Sequence, residues 1–125
     1  MRHAELFDDA LVIVSAHAPK KFRNNIVHDL QMTSENIVKS IFWANEYRQS
    51  DIQKCLKYTK QAEINIRWMT RRLERARRMQ CITPVEELDL GDKLATVEEY
   101  FAGWSDSNIK LSEELRKEEL RKKNL

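Results

Sequence analysis

Apolar residues recur along most of this chain at steps of three and four, the repeat of a helix with one buried face. The clearest case is residues 51–80. There Ile52, Cys55, Leu56, Thr59, Ala62, Ile66, Met69, Leu73 and Ala76 share one side of a helix of about eight turns. At about 100° per residue, Lys57, Lys60, Arg67, Arg71, Arg75 and Arg78 gather on the other side, with Ile64 and Trp68 among them.

Three further helices flank this one. Residues 2–18 carry Leu6, Phe7, Ala10, Leu11, Ile13 and Val14 as an apolar band, with Glu5, Asp8 and Asp9 in the early turns. Pro19 ends that helix by pushing the residue before it out of the α region. A second helix opens at Lys20 or Lys21 and runs to about Arg48, on a stripe of Phe22, Ile26, Leu30, Thr33, Ile37, Ile41 and Ala44, widened by Val27, Val38 and Phe42. Ser50 or Asp51 caps the third helix. Thr83-Pro84-Val85-Glu86 then predicts a capping box and a helix start, with Leu88, Leu90, Leu94, Val97, Phe101 and Trp104 turned inward. Ser105-Asp106-Ser107-Asn108 reads as a polar break. The stretch from Lys110 onward has only a thin apolar edge of Leu111, Leu115 and Leu120, and is expected to be a solvated helix or a frayed tail.

The expected fold is therefore all-α. It is an up-down antiparallel four-helix bundle over residues 1–108, with short loops and a charged C-terminal helical extension at 109–125. Two Gly, two Pro and 34% charged residues fit a single helical domain large enough to bury a core. The longest apolar run, Ala10–Val14, is far short of the ~20 residues of a membrane span and is not read as a signal peptide. Cys55 and Cys81 lack metal-site spacing, and a reduced, cytoplasmic chain is the simpler expectation.

The formal net charge is only +2, but it is unevenly spread. Residues 51–80 hold nine Lys or Arg against Asp51, Glu63 and Glu74, a local excess of six. The fourth helix is acidic, with Glu86, Glu87, Asp89, Asp92, Glu98, Glu99 and Asp106 against Lys93. It can neutralise only the flanks of the basic helix, so the centre around Arg71 and Arg75 is expected to remain open to a partner. Arginine-rich positions beside Trp68 suit a phosphate backbone and a stacked base. The same pattern also suits a solvated helix face or a contact between subunits, and Ile64 with Trp68 favours the subunit or protein contact.

Enzymatic patterns are sparse. Arg23 and His28 have the Arg-x4-His spacing of a family of small helical ribonucleases, in which such a pair would clamp the transition state and act as general base. Here the pair sits at the start of the second helix. No Ser-His-Asp or Cys-His arrangement, metal-ligand spacing or glycine-rich phosphate loop accompanies it, and neither a catalytic site nor a cofactor is expected.

The order of elements resembles a known group. It runs from a short helix to Pro19-Lys20-Lys21-Phe22-Arg23, then to a long helix ending in Phe42-Trp43-Ala44-Asn45. An arginine-rich third helix follows, and Thr83-Pro84 opens a fourth that reaches Gly103-Trp104. Over roughly residues 6–105 this is similar to the accessory variability determinant (Avd) proteins of diversity-generating retroelements. Those belong to the four-helix-bundle family encoded in intervening sequences of large-subunit ribosomal RNA genes. The resemblance implies a ring-shaped pentamer with a basic surface that binds template RNA or cDNA. It also implies association with a reverse transcriptase in mutagenic cDNA synthesis, without catalysis of its own. Basic contacts would fall on Lys20, Lys21 and Arg23, and on Arg67, Arg71, Arg75 and Arg78. The chain differs from that group in its small net charge and in the charged extension after residue 108. A bundle protein of the ribosomal intervening-sequence type, unconnected to reverse transcription, is the first alternative, and a small helical ribonuclease using Arg23 and His28 is the second.

Overall fold

In the computed structural model, residues 1–124 are described and form four α-helices. These are α1 (Arg2–Ala16), α2 (His28–Tyr47), α3 (Ile52–Arg78) and α4 (Pro84–Lys123). A 3₁₀ turn at Lys20–Phe22 and a π turn at Arg23–Val27 lead into α2. Among the described residues there is no strand, and no helix is long and apolar enough to cross a membrane.

The second helix thus departs from the uniform α-helix expected from Lys20 onward. Phe22, Ile26 and Val27 are all buried. Five positions separate Phe22 from Val27, more than one α turn. The wider π turn brings both onto the core side.

The helix ends follow from local chemistry. Asp51 caps α3 by accepting a hydrogen bond from the Lys54 N–H at 3.2 Å. At α4, Glu86 N–H donates to Thr83 Oγ1 (3.1 Å) and Thr83 N–H donates to Glu86 Oε1 (2.8 Å), completing the expected capping box. At the other end of α3, Cys81 N–H donates to Ala76 O (2.8 Å) and Gln80 N–H to Arg77 O (2.9 Å). This is a Schellman cap, and it forces Gln80 into the left-handed region at φ 61°.

Helix α1 lies against α2 and α4, and α3 lies against α2 and α4. The core between them is built from Phe7 and Leu11, from Leu30, Ile37 and Ile41, from Ile66, Met69 and Leu73, and from Leu90, Leu94 and Val97. All seven stripe positions of the second helix are buried, and so are Cys55, Thr59, Ala62 and Ala76 of α3. Ser34, itself buried, donates to Asp8 Oδ1 at 2.6 Å, so Asp8 ties α1 to α2 as well as suiting the helix dipole.

Two expectations are corrected. The sequence places Leu88 inward, but it is 67% exposed. Leu90, Leu94 and Val97 set the buried face of α4, and Leu88, two positions before Leu90, falls on the opposite side. On α1, Leu6 and Ile13 are likewise exposed, because Ala4, Phe7 and Leu11 fix the narrower buried face, and on α2 Phe42, one position past buried Ile41, is 46% exposed.

The second correction concerns residues 105–108. No break occurs there, since α4 is one helix of 40 residues, about 60 Å long. The division expected at residue 108 falls inside it. Asn108 is fully buried and acts as a polar joint between helices. Its Oδ1 accepts from Arg48 Nε (2.9 Å), and its Nδ2 donates to Thr59 Oγ1 (3.2 Å). Arg48 also donates to Ser107 Oγ (3.0 Å). Nearby, Trp104 Nε1 donates to Asn45 Oδ1 (3.0 Å). With its amide satisfied in this way, Asn108 has no need of solvent, and the helix passes through.

Candidate nucleic-acid interface

The outward side of α3 carries Lys57, Lys60, Arg67, Arg71, Arg75 and Arg78, all exposed. Helical spacing gathers them there because the opposite side is committed to the core. Their pairing differs along the helix. Lys60 and Arg67 both contact Glu63 of the same helix, at 3.2 and 2.8 Å. Such exposed pairs are worth about 0–1 kcal/mol, so a phosphate can displace them. Lys57, Arg71, Arg75 and Arg78 make no ion pair among the described residues.

The neighbouring helices reach only the flanks of α3. Arg77 contacts Glu87 at the start of α4. Arg72 Nε lies 3.2 Å from Asp29 Oδ2 of α2, close enough for charge attraction though not aligned as a hydrogen bond. Nothing else of the acidic α4 forms an ion pair with α3 among the described residues.

The Asp29–Arg72 contact sets the start of α2 beside the last third of α3. Lys20, Lys21 and Arg23 precede that start, so they lie at the same end of the molecule as Arg75 and Arg78. All three are exposed, and Lys21 Nζ sits 5.0 Å above the Phe22 ring. The structure therefore gathers six cations along one helix face and places three more at its end.

Ile64 and Trp68 are 55% and 45% exposed within the cationic face. Trp68 is not bare, however. The Arg72 guanidinium lies 4.0 Å over its ring, a cation–π contact that covers one face and leaves the other to a partner.

Arg23 and His28 flank the π turn, and both are exposed. No side-chain hydrogen bond or ion pair links them to each other or to any other described residue. Among the described residues, no three His, Cys, Asp or Glu side chains gather in a way that could hold a metal ion.

An aromatic cluster at the turn between α2 and α3 was not singled out from the sequence. Tyr47 stacks on Tyr58 with centroids 5.9 Å apart, and Trp43 lies 6.0 Å from Tyr47 and 6.5 Å from Tyr58. Two signals were available: the i, i+4 spacing of Trp43 and Tyr47, and the short link that folds Tyr58 back against them. Burial raises the thiols of Cys55 and Cys81 above the usual range, most strongly through loss of solvation, so both are neutral core groups. Comparison of the chain with protein-family models, with curated proteins and with solved structures yields no match.

Proposed function

We propose that this chain is an oligomeric, non-enzymatic accessory protein of a retroelement reverse transcriptase, and that it binds template RNA or cDNA through the outer face of α3. The observation that carries the binding reading is the state of Arg71 and Arg75. Both are exposed on the basic face, in the last third of α3, and have no ion-pair partner among the described residues. Guanidinium groups in that position suit phosphate, and their neighbours Lys57, Lys60, Arg67 and Arg78 extend the same track. The polymerase partner is carried by the resemblance in helix order and anchor residues described above.

An up-down antiparallel arrangement is part of the proposal. Tyr47 meets Tyr58 and Asp29 meets Arg72 across α2 and α3, while Arg77 meets Glu87 and Thr59 meets Asn108 across α3 and α4. In each pair an early residue of one helix faces a late residue of the other. Self-association is supported by aliphatic side chains left outside the core on adjacent helices, Leu6 and Ile13 on α1 and Val85 and Leu88 on α4. A reducing cytoplasm suits Cys55 and Cys81, which are buried free thiols.

The test is the Arg71→Glu/Arg75→Glu chain. Its affinity for single-stranded RNA, followed by fluorescence anisotropy at fixed salt, should fall at least tenfold, with native mass unchanged. Unchanged affinity would remove α3 from the proposal. Native mass of the unaltered chain tests the oligomer separately, and a pentamer is the expected result.

A further inference from the structure

We infer that the groove between α2 and α3 is a stacking track for unpaired nucleobases, distinct from the phosphate-binding outer face of α3. This rests on the proposed binding of nucleic acid and deepens it, because it assigns the bases as well as the backbone. The groove has a volume of about 330 Å³, within the range of roughly 300–1,000 Å³ found for ligand sites.

Its walls have unusual chemistry for a helix–helix groove. Trp43 and Tyr58 stand at one end, while Asn36, Gln61, Asn65 and Lys39 line the rest. Trp43 is 43% exposed, so its ring is available although it lies tilted at 31° against Tyr58 and meets Phe42 edge-on. Tyr47 backs the cluster, and Lys54 Nζ sits 5.0 Å above that ring. Farther along α3, Trp68 presents the face that Arg72 leaves open. Tyr58 and Trp68 are separated by ten positions, about 15 Å at 1.5 Å per residue.

Trp43 and Tyr58 at one end of the groove, and Trp68 three residues past Asn65 on α3, offer faces for stacking, which every base can use. Between them the amides offer both donors and acceptors for base edges. Asn65 Nδ2 already donates to the Gln61 carbonyl at 2.9 Å, which orients the Asn65 side chain and leaves its Oδ1 as an acceptor. Lys57 and Lys60 are the exposed neighbours of Tyr58 and Gln61 along α3, where a backbone carrying the stacked bases would pass. An apolar helix seated in this groove would instead leave the Asn36 and Gln61 amides, and the Asn65 Oδ1, without partners. Bases within a duplex are already stacked on one another, so the track selects single strands.

The test compares Trp43→Ala, Trp43→Phe and Tyr58→Ala with the native chain, using single-stranded oligouridine RNA and a matched duplex. Loss of one stacked base should weaken single-strand affinity roughly 5- to 150-fold. Trp43→Phe should recover most of it, and duplex affinity should not move. Single-strand affinity that survives Trp43→Ala, while Arg71→Glu/Arg75→Glu abolishes it, overturns the track and leaves the basic face standing. A native chain that binds no single-stranded RNA removes both. A Trp43→Ala chain that loses native mass but keeps its single-strand affinity identifies the cluster as a subunit contact and overturns the track.

A second measurement covers the case in which Trp43→Ala fails to fold. The chain has three tryptophans. With Trp68→Phe and Trp104→Phe, Trp43 is the only emitter. Its fluorescence should be quenched as oligouridine saturates the protein, and saturation without quenching overturns the track.

Discussion

Replacing Asn108 with Ala tests the joint that holds the C-terminal half of α4 to the rest of the molecule. The substitution deletes the acceptor of Arg48 Nε and the donor to Thr59 Oγ1. A hydrogen bond to a charged group contributes roughly 1.5–3 kcal/mol, and a neutral one about 0.5–1.5. Two effects reduce that loss. Arg48 is only half-buried and keeps its bond to Ser107, so water can reach the abandoned nitrogen. Alanine is also the better helix former, by up to about 0.7 kcal/mol. Thr59 keeps its own bond to Cys55 O at 2.8 Å and is not orphaned as a donor. The net destabilisation should be about 2 kcal/mol, or roughly 8 °C in Tm for a chain of this size. Urea denaturation at fixed protein concentration measures it, since any oligomer makes the midpoint concentration-dependent. Arg48→Met supplies the double-mutant cycle. The two residues should be coupled by more than about 0.5 kcal/mol. A midpoint that stays put or rises, as helix propensity alone dictates, would refute the joint and restore a break at residues 105–108.

Two other outcomes follow from single features. Gln80→Gly removes a left-handed non-glycine residue at the end of α3, a conformation that costs roughly 1–2 kcal/mol. Glycine's greater freedom in the unfolded chain returns part of that, so the unfolding free energy should rise by about 0.5–1 kcal/mol in urea denaturation. The buried thiols give stability a pH dependence. Burial holds Cys55 and Cys81 protonated in the folded chain beyond their usual pKa, so above about pH 8.5 the unfolded chain binds fewer protons. Stability is complete below that pH and should decline as pH rises toward the folded values. Denaturation of the native chain and of Cys55→Ala/Cys81→Ala across pH 7–10 should show the decline only in the native chain.

Much of the fold is legible in the sequence because periodicity and caps report directly on helices. The buried positions of α3, the stripe of the second helix and the Thr83–Glu86 box all follow from spacing. What escaped depends on partners distant in the chain. Asn108 looks like a loop residue until Arg48 and Thr59, 60 and 49 positions away, are seen to satisfy its amide. The π turn is invisible to a fixed helical repeat, since it adjusts the repeat itself to bury both Phe22 and Val27. Leu88 shows that an apolar residue beside a buried face need not share it.

The outer face of α3 was the most legible part of the candidate site. Its cations were predictable from spacing, and so was the reach of acidic α4 to the flanks alone. The groove between α2 and α3 was not, because its aromatic and amide residues come from two helices and meet only after they pack. Sequence order also could not show that Arg72 would turn away from the outer row to cover Trp68 and approach Asp29.

The central claim is that the guanidinium groups of Arg71 and Arg75 meet a polyanion. The direct measurement is the affinity of single-stranded RNA across a range of salt concentrations, for the native chain and for Arg71→Gln/Arg75→Gln. Each phosphate contact contributes about 0.7 to the log–log slope for a single strand, so losing two should flatten it by about 1.4. Parallel slopes for the two proteins would contradict the claim.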